Sequence, residues 1–332
     1  MHDLTCNYFP VGPSGPSDRL QKRVVEKYIS IALTNENPAS TRGFALALGH
    51  IPKKLSAPNS TVLGNVIECL SSISRYDATV GNEKDAETRR NALVALRRVC
   101  QTVGLSPNLQ KSDNEAEQQI GLTFEQISTV LNAFFLGLDD CNVDRRGDVG
   151  SWCRIVAMRG LEGVISMVVE QASVEAISEL LPVKTLERFI GGLLKQLSEK
   201  LDNTRVEAGN CLQRILTKRD PSVPGIPEIQ YLQESFGILL TKAGQEKQHI
   251  NWADASLTFP FVAKAANMDV YFSYIVAGII ISVGGLTESV AKQSNAAILQ
   301  IVKQGKGTKR MKTLSQSKIL DHIFLQGRLR FC

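Results

Sequence analysis

A motif that recurs four times within helical patterns most constrains the fold of this 332-residue chain. Each copy reads Arg-x-x-Ala, and the copies begin at Arg42, Arg89, Arg154 and Arg205. A Leu follows seven positions after the Arg in the last three copies and six positions after it in the first. These positions share one helical face, so the Ala lets a neighbouring helix approach and the Leu fills the space beside it. The motif predicts stacked helices with each Arg at a helix edge.

The rest of the chain has the same helical character. Apolar residues recur at helical spacing from Asp18 onward, and no stretch shows the sustained alternation of a strand. Helices are predicted at residues 18–34, 40–56, 60–76, 84–104, 114–138, 148–171, 183–200, 203–218, 228–242, 268–284, 287–303 and 315–326. Successive motif copies lie 47, 65 and 51 residues apart, near the length of HEAT and armadillo repeats with inserted loops. We therefore expect an all-α, HEAT/armadillo-type helical repeat solenoid at 18–303, after an irregular segment at 1–17 and before a basic segment with a short helix at 304–332.

Composition and charge indicate which functions to expect. The net charge of +5 comes from residues 303–330, where eight Lys and Arg residues face Asp321 alone. Because a nucleic-acid binder spreads its cations along one face, no nucleic-acid partner is expected. The basic end could still bind nucleic acid, an acidic membrane or an acidic protein, or be a solvated end. The amino terminus lacks a signal-peptide pattern, and the seven scattered cysteines are typical of reduced, buried side chains in a cytosolic chain.

No residue pattern predicts catalysis, a cofactor or a metal. Asp140, Asn142 and Asp144 occupy positions one, three and five of a calcium-loop pattern, but Arg145 and Ser151 stand where Gly and Glu are needed. The four histidines are far apart, and no nucleotide-binding glycine motif is present. The uncharged stretch 270–287 is broken by Ser and Gly residues, which favours a central solenoid helix over a membrane span. We expect a protein that binds other proteins and is not an enzyme.

Five segments resemble the carboxyl-terminal part of the tubulin-folding cofactor D family. They are Thr41–Gly49 (TRGFALALG), Arg97–Gly104 (RRVCQTVG), Arg146–Trp152 (RGDVGSW), Asn251-Trp252 and Ser282–Ser289 (SVGGLTES). The likeness runs from about residue 19 to residue 303, and RGDVGSW is its most distinctive piece. The family's chain is much longer, so this chain is expected to begin midway through the solenoid and to stop before its end.

The resemblance implies a chaperone of the cytoplasm and microtubule cytoskeleton. Such a protein holds β-tubulin while the αβ heterodimer is assembled or taken apart, and acts with tubulin-folding cofactors C and E and an Arf-like small GTPase. The assembled complex stimulates GTP hydrolysis at tubulin's own site.

The residues themselves leave two other functional classes open. A karyopherin-like transport adaptor would need regularly spaced Trp and Asn, whereas the chain has only Trp152 and Trp252; a GTPase-regulating enzyme would need an exposed catalytic Arg, such as Arg145 or Arg146.

One loop and the helix start after it form the candidate partner-binding site, because loops between repeat helices project outward. Its residues are Asp139, Asp140, Asp144, Arg145, Arg146, Asp148, Trp152 and Arg154. A purely structural interpretation is also open. In that interpretation Asp148 caps the helix, Gly147 and Gly150 permit the turn, and Trp152 packs between repeats.

Overall fold

The computed structural model describes residues 18–34, 37–51, 53, 61–76, 84–111, 121–242, 250–283 and 287–305. The chain divides into two compact units, Met1–Pro182 and Val183–Cys332. Within the described residues there are thirteen α-helices and one two-stranded hairpin. The predicted all-α fold of helical-repeat type is confirmed. The segment 1–17, the predicted helix 315–326 and nearly all of the basic end lie outside the described residues.

The first unit is built from three helix pairs and a short seventh helix. Its helices are α1 (Asp18–Leu33), α2 (Pro38–Leu48), α3 (Val62–Ile73), α4 (Ala86–Val103), α5 (Phe124–Leu138), α6 (Gly150–Gln171) and α7 (Val174–Leu180), and its strands are β1 (Val143–Asp144) and β2 (Gly147–Asp148). The odd-numbered helices α1, α3 and α5 pack in sequence, and α2, α4 and α6 pack in sequence beside them. Each helix therefore buries its apolar face against its partner and against the next pair.

The repeated motif occupies the second helix of each pair in this unit. The motif's alanines are fully buried in all four copies, as are the leucines that follow them, which are Leu48, Leu96, Leu161 and Leu212. The predicted packing role of these positions is confirmed. The Arg positions differ from the expectation of a helix edge, because Arg89, Arg154 and Arg205 are buried. Their guanidinium groups bind carboxylates and carbonyl oxygens in the connections between helices.

Local capping explains where several helices begin. The Asn37 side chain accepts hydrogen bonds from two first-turn amides of α2, and Pro38 occupies the first helical position. Thr123 and Gln126 form a reciprocal capping box at the start of α5. The prediction of a helix from residue 114 is therefore wrong at residues 121–123, because this box ends the non-helical segment at Thr123.

The second unit holds the six remaining helices. They are α8 (Val183–Leu197), α9 (Asp202–Thr217), α10 (Ile229–Lys242), α11 (Ala255–Ala265), α12 (Asp269–Val283) and α13 (Glu288–Gly305). Helix α8 packs on α9 and α12, and α13 packs on α11 and α12. Trp252 is buried between the rings of Phe236 and Phe261, whose centroids lie 6.2 and 6.3 Å from its own. Gly209 of α9 gives the Trp252 ring room to approach the helix backbone.

Two helices were absent from the sequence prediction. Helix α7 is only seven residues long and begins at the Ser173 cap. Helix α11 contains Pro260, which signals a helix break in sequence. Pro260 is exposed, so the helix carries it on its outer face.

The apolar run of α12 packs inside the second unit. Ile275 and Ile279 are fully buried, and the Ser282 hydroxyl donates a hydrogen bond to the Ser198 carbonyl. Across the described ranges, no helix is both long and apolar enough to cross a membrane.

The cysteines follow the expectation with one exception. Cys69, Cys100, Cys153 and Cys211 are buried, as predicted, and form no disulfide bond within the described part of the chain. Cys141 is exposed, so the prediction is wrong there, because this residue lies in the loop after α5 and not on a helix face. Cys6 and Cys332 lie outside the described residues.

Candidate partner-binding surface

The candidate loop forms a tight hairpin between α5 and α6. Val143 pairs with Asp148 and Asp144 with Gly147. The turn is closed by the Asp144 carboxylate, which accepts a hydrogen bond from the Arg146 amide at 2.7 Å. Gly147 has a φ of +101°, a conformation that favours glycine. The hairpin is therefore specified by its own turn residues.

The return of the hairpin to α6 also requires a close backbone approach. A Cβ atom on Gly150 would lie 2.5 Å from the Asp140 carbonyl oxygen and 2.8 Å from the Asn142 nitrogen. The Gly150 amide donates a hydrogen bond to the Asn142 carbonyl at 2.9 Å. Gly147 and Gly150 thus have the turn-forming roles of the structural interpretation.

Asp140 lies beneath the hairpin in a buried ion pair. Its carboxylate accepts hydrogen bonds from Arg89 Nε at 3.0 Å and from Arg89 Nη2 at 3.2 Å, and both side chains are almost inaccessible to solvent. Arg89 Nη1 donates a third hydrogen bond to the Lys84 carbonyl at 2.6 Å. This paired geometry satisfies the guanidinium and fixes the start of the loop against α4.

Arg154 and Asp148 form a second buried pair. Arg154 Nη2 lies 2.8 Å from the Asp148 carboxylate, and Nη1 donates to the Asp140 carbonyl at 2.8 Å. The other oxygen of Asp148 accepts the Ser151 amide at 3.0 Å, so the carboxylate caps the first turn of α6. Asp140, Asp148 and Arg154 therefore hold the loop in place from within.

Arg146 connects the hairpin to α4 and α6 at the surface. It forms ion pairs with Asp144 at 2.7 Å and with Glu87 at 2.9 Å, and its guanidinium carbon lies 4.9 Å from the Trp152 ring centroid. Glu87 also pairs with Arg42 of α2. Hydrogen bonds from Arg146 lower the pKa of Asp144 below its ordinary value. The result is a surface network of charges on α2, α4 and the hairpin, with the Trp152 ring of α6 packed against it.

The remaining predicted residues lie on the outside of the loop. Asp139, Arg145 and the hairpin residue Val143 are exposed. Among the described residues, Arg145 makes no hydrogen bond or ion pair, in contrast to Arg146. The exposed members of the predicted site that could contact a partner are Asp139, Asp144, Arg145 and Arg146, with the half-buried Trp152 beside them.

Arg42 and Glu87 belong to the same surface but were absent from the predicted site. Glu87 lies 59 positions before Arg146 in the chain, and no local pattern connects them. Arg42 begins the first repeated motif and lies in the TRGFALALG segment, but neither feature placed it beside the loop. Among the described residues, no three His, Cys, Asp or Glu side chains are placed to hold a metal ion.

Two of the comparisons with known proteins point to the same family. Residues 187–326 match the family model described as the tubulin folding cofactor D C-terminal domain. Tubulin-specific chaperone D from Dictyostelium discoideum is 24% identical over 279 residues, which cover 80% of this chain and 18% of the relative. The chain therefore spans less than a fifth of that relative's length. A solved structure of an engineered protein covers 84% of this chain and 98% of its own, with a TM-score of 0.36 and 16% identity.

The family match covers most of the second unit, and the relative's match extends over most of the chain. The resemblance of this chain to the carboxyl-terminal part of tubulin-folding cofactor D is thereby confirmed.

Proposed function

We propose that this chain is the carboxyl-terminal part of a tubulin-folding chaperone that binds β-tubulin during assembly and disassembly of the αβ heterodimer. The observation that carries the proposal is the family match over residues 187–326, supported by the similarity to tubulin-specific chaperone D. The stacked helices give the extended surfaces by which repeat proteins hold their partners. Such work needs complementary shape and charge and does not need a catalytic group.

The proposal extends to the chaperone's partners and place in the cell. Tubulin-folding cofactors C and E and an Arf-like small GTPase are the further partners that the resemblance implies. In the assembled complex, tubulin hydrolyses GTP at its own site and the chaperone stimulates this reaction. The protein would then work in the cytoplasm, at the microtubule cytoskeleton.

We propose the hairpin as one contact surface for a partner protein. Arg145 is exposed at its tip and Val143 is exposed on its first strand, and the network around Arg146 holds the hairpin against α4 and α6. A preorganised loop loses little conformational freedom on binding. Arg145 is the residue most suited to contact a partner, because its guanidinium is not paired within the described part of the chain.

Binding of the full chain to purified αβ-tubulin and to an Arf-like GTPase tests the function. We expect tubulin binding, measured by pull-down and then by fluorescence anisotropy. A chain that circular dichroism shows to be folded, yet that binds neither protein, would contradict the proposed function.

Arginine variants test the surface separately. We expect Arg145→Ala to weaken tubulin binding about tenfold without changing the urea midpoint of unfolding. Arg146→Ala should move the urea midpoint of unfolding only slightly, because its ion pairs lie at the surface and are screened by solvent. Arg23→Ala, on the exposed face of α1, is the matched control. If tubulin binds all three variants equally well, the hairpin is not the contact surface, and the proposed function is unaffected.

A further inference from the structure

Helix α4 carries three arginines on one face. Arg90, Arg97 and Arg98 are half-buried on the side of the helix that is turned away from the core. The core side holds the fully buried Ala92, Leu93 and Leu96. Helical geometry places Arg90 and the pair Arg97 and Arg98 about two turns apart, on the same side of α4.

These arginines lack acidic partners within the described residues. Arg90 donates to the neutral Asn91 amide oxygen at 3.0 Å, and Arg98 contacts His50, which follows the end of α2, at 2.5 Å. Arg97 Nε is buried and has no hydrogen-bond partner among the described atoms. In contrast, Arg42, Arg89, Arg146 and Arg154 each form an ion pair with a carboxylate. The outer face of α4 therefore holds positive charge that the described part of the unit does not neutralise.

The neighbouring elements present a glycine and a histidine to these guanidinium groups, and neither is acidic. A Cβ on Gly163 of α6 would lie 3.7 Å from Arg97 Nε. Because Gly163 has no side chain, this residue places no side-chain atoms against Arg97. On the α2 side, burial and the charge of Arg98 lower the pKa of His50. A neutral imidazole adds no second charge to this side of the surface, and it can share a proton with an incoming group.

We propose that the outer face of α4 binds an acidic peptide segment whose carboxylates engage Arg90, Arg97 and Arg98. Guanidinium groups bind carboxylates through paired hydrogen bonds. The distance between Arg90 and the Arg97–Arg98 pair along α4 is about 10 to 12 Å. An extended peptide covers this distance with about three residues, so Asp or Glu residues spaced by about three positions fit the surface.

A peptide fits this surface better than a nucleic acid does. The half-buried Val94 lies between the arginines on the same face and can contact an apolar peptide side chain. Glu87 marks the amino-terminal end of the row and is already engaged by Arg42 and Arg146. A nucleic-acid backbone needs a longer row of cations that follows successive phosphates. The short row on α4 is suited to a few carboxylates, whichever protein carries them.

Fluorescence anisotropy with the full chain tests the proposal. The probe is a labelled peptide of about twelve residues with Glu at every third position and Ser between, and the same peptide with Gln in place of Glu is the control probe. We expect the Glu peptide to bind and the Gln peptide not to bind. The affinity of the Glu peptide should fall as salt is raised to about 0.5 M, because partly exposed charge pairs are screened.

Matched triple variants locate the binding. Replacement of Arg90, Arg97 and Arg98 by Gln should weaken Glu-peptide binding by about tenfold or more. The control replaces Lys22, Arg23 and Lys27 by Gln on the exposed face of α1, which removes the same charge from the same unit, and it should leave binding within about twofold. Circular dichroism confirms that both variants are folded.

Three outcomes would overturn the proposal. The first is no binding of the Glu peptide to the folded wild-type chain. The second is an equal loss of binding in the α4 and α1 variants, which would indicate an effect of net charge alone. The third is tighter binding of a single-stranded RNA of similar length than of the Glu peptide, which would assign the surface to nucleic acid.

Discussion

Arg89 in α4 and Asp140 in the loop before α6 form an ion pair with an N–O distance of 2.9 Å, and both side chains are buried. Asp140 was expected at a partner surface because it lies in a charged loop. Its carboxylate is instead directed into the unit, where Arg89 binds both of its oxygens. This pair joins two motif-bearing repeats, so Asp140 contributes to the stability of the fold.

Replacement of Asp140 by Ala is expected to lower the free energy of unfolding by about 3 to 5 kcal/mol, because Arg89 keeps a buried charge without its partner. The measurement is the urea-induced unfolding transition, followed by circular dichroism. Asp139→Ala is the matched control, because Asp139 is the adjacent, exposed carboxylate. It should change the free energy of unfolding by less than about 0.5 kcal/mol.

A double variant separates loss of the pair from loss of packing. Arg89→Met with Asp140→Leu replaces the pair by apolar side chains of similar size, and we expect it to be more stable than Asp140→Ala alone. Equal stability of Asp140→Ala and Asp139→Ala would show that the buried pair contributes nothing measurable.

Two glycines in helices of the first unit should respond to Ala in opposite directions. A Cβ on Gly160 of α6 would lie 2.1 Å from the ring of Phe134 in α5, whereas a Cβ on Gly43 of α2 would meet nothing within 4 Å. Gly160→Ala forces the helices apart and should cost about 1 to 3 kcal/mol of unfolding free energy. Gly43→Ala should add about 0.5 to 1 kcal/mol through helix propensity. Thermal melts of both variants check this, and destabilisation by Gly43→Ala would contradict it.

The fold class could be predicted from the sequence because helical periodicity is a local property. The Ala and Leu positions of the motif are buried as their spacing requires, and this holds for Ala92 and Leu96 as for the other copies. Helix α11 was missed because Pro260 is a local break signal. That signal is overridden where the helix packs in the second unit.

The organisation of the candidate site depends on pairs that are distant in sequence. Arg89 and Asp140 are 51 positions apart, and Arg146 and Glu87 are 59 apart. The sequence shows that the loop is rich in charged residues. It does not show which of these charges are neutralised by buried side chains of neighbouring helices. The buried and exposed members of the loop could therefore be separated only in three dimensions.

Cysteine alkylation should distinguish Cys141 from the core thiols. Cys141 is exposed, whereas Cys69 and Cys100 are buried, and burial raises the pKa of each of these two thiols to about 12. Because the thiolate is the reactive form, the core thiols should be alkylated only when the fold opens. Brief alkylation near neutral pH, followed by peptide mass spectrometry, should label the Cys141 peptide first. Labelling of the Cys100 peptide at the same rate would contradict the buried position.

Asp85 is expected to make stability depend on pH. Its carboxylate caps α4, accepts the Thr88 hydroxyl at 2.6 Å and pairs with Arg42 at 3.0 Å. Partial burial raises the pKa of Asp85, but the hydrogen bonds from Thr88 and the Arg42 interactions outweigh it and hold the pKa below the ordinary value of 3.8. Lys84 and Glu87 flank the cap with opposite charges.

The sign of the effect follows from this lowered pKa. Above about pH 5 the carboxylate is charged in both the folded and the unfolded state, and its contribution to stability is complete. As the pH falls below about 4, the unfolded state binds the proton first, so the contribution is progressively lost.

Asn in place of Asp85 still caps the helix but cannot titrate. Asp85→Asn should therefore lose less unfolding free energy than the wild type between about pH 5 and pH 3, as measured by urea midpoints. Glu26→Gln, an exposed change in α1, controls for the loss of one carboxylate. An equal pH response of the unfolding free energy in Asp85→Asn and the wild type would exclude Asp85 as the titrating group.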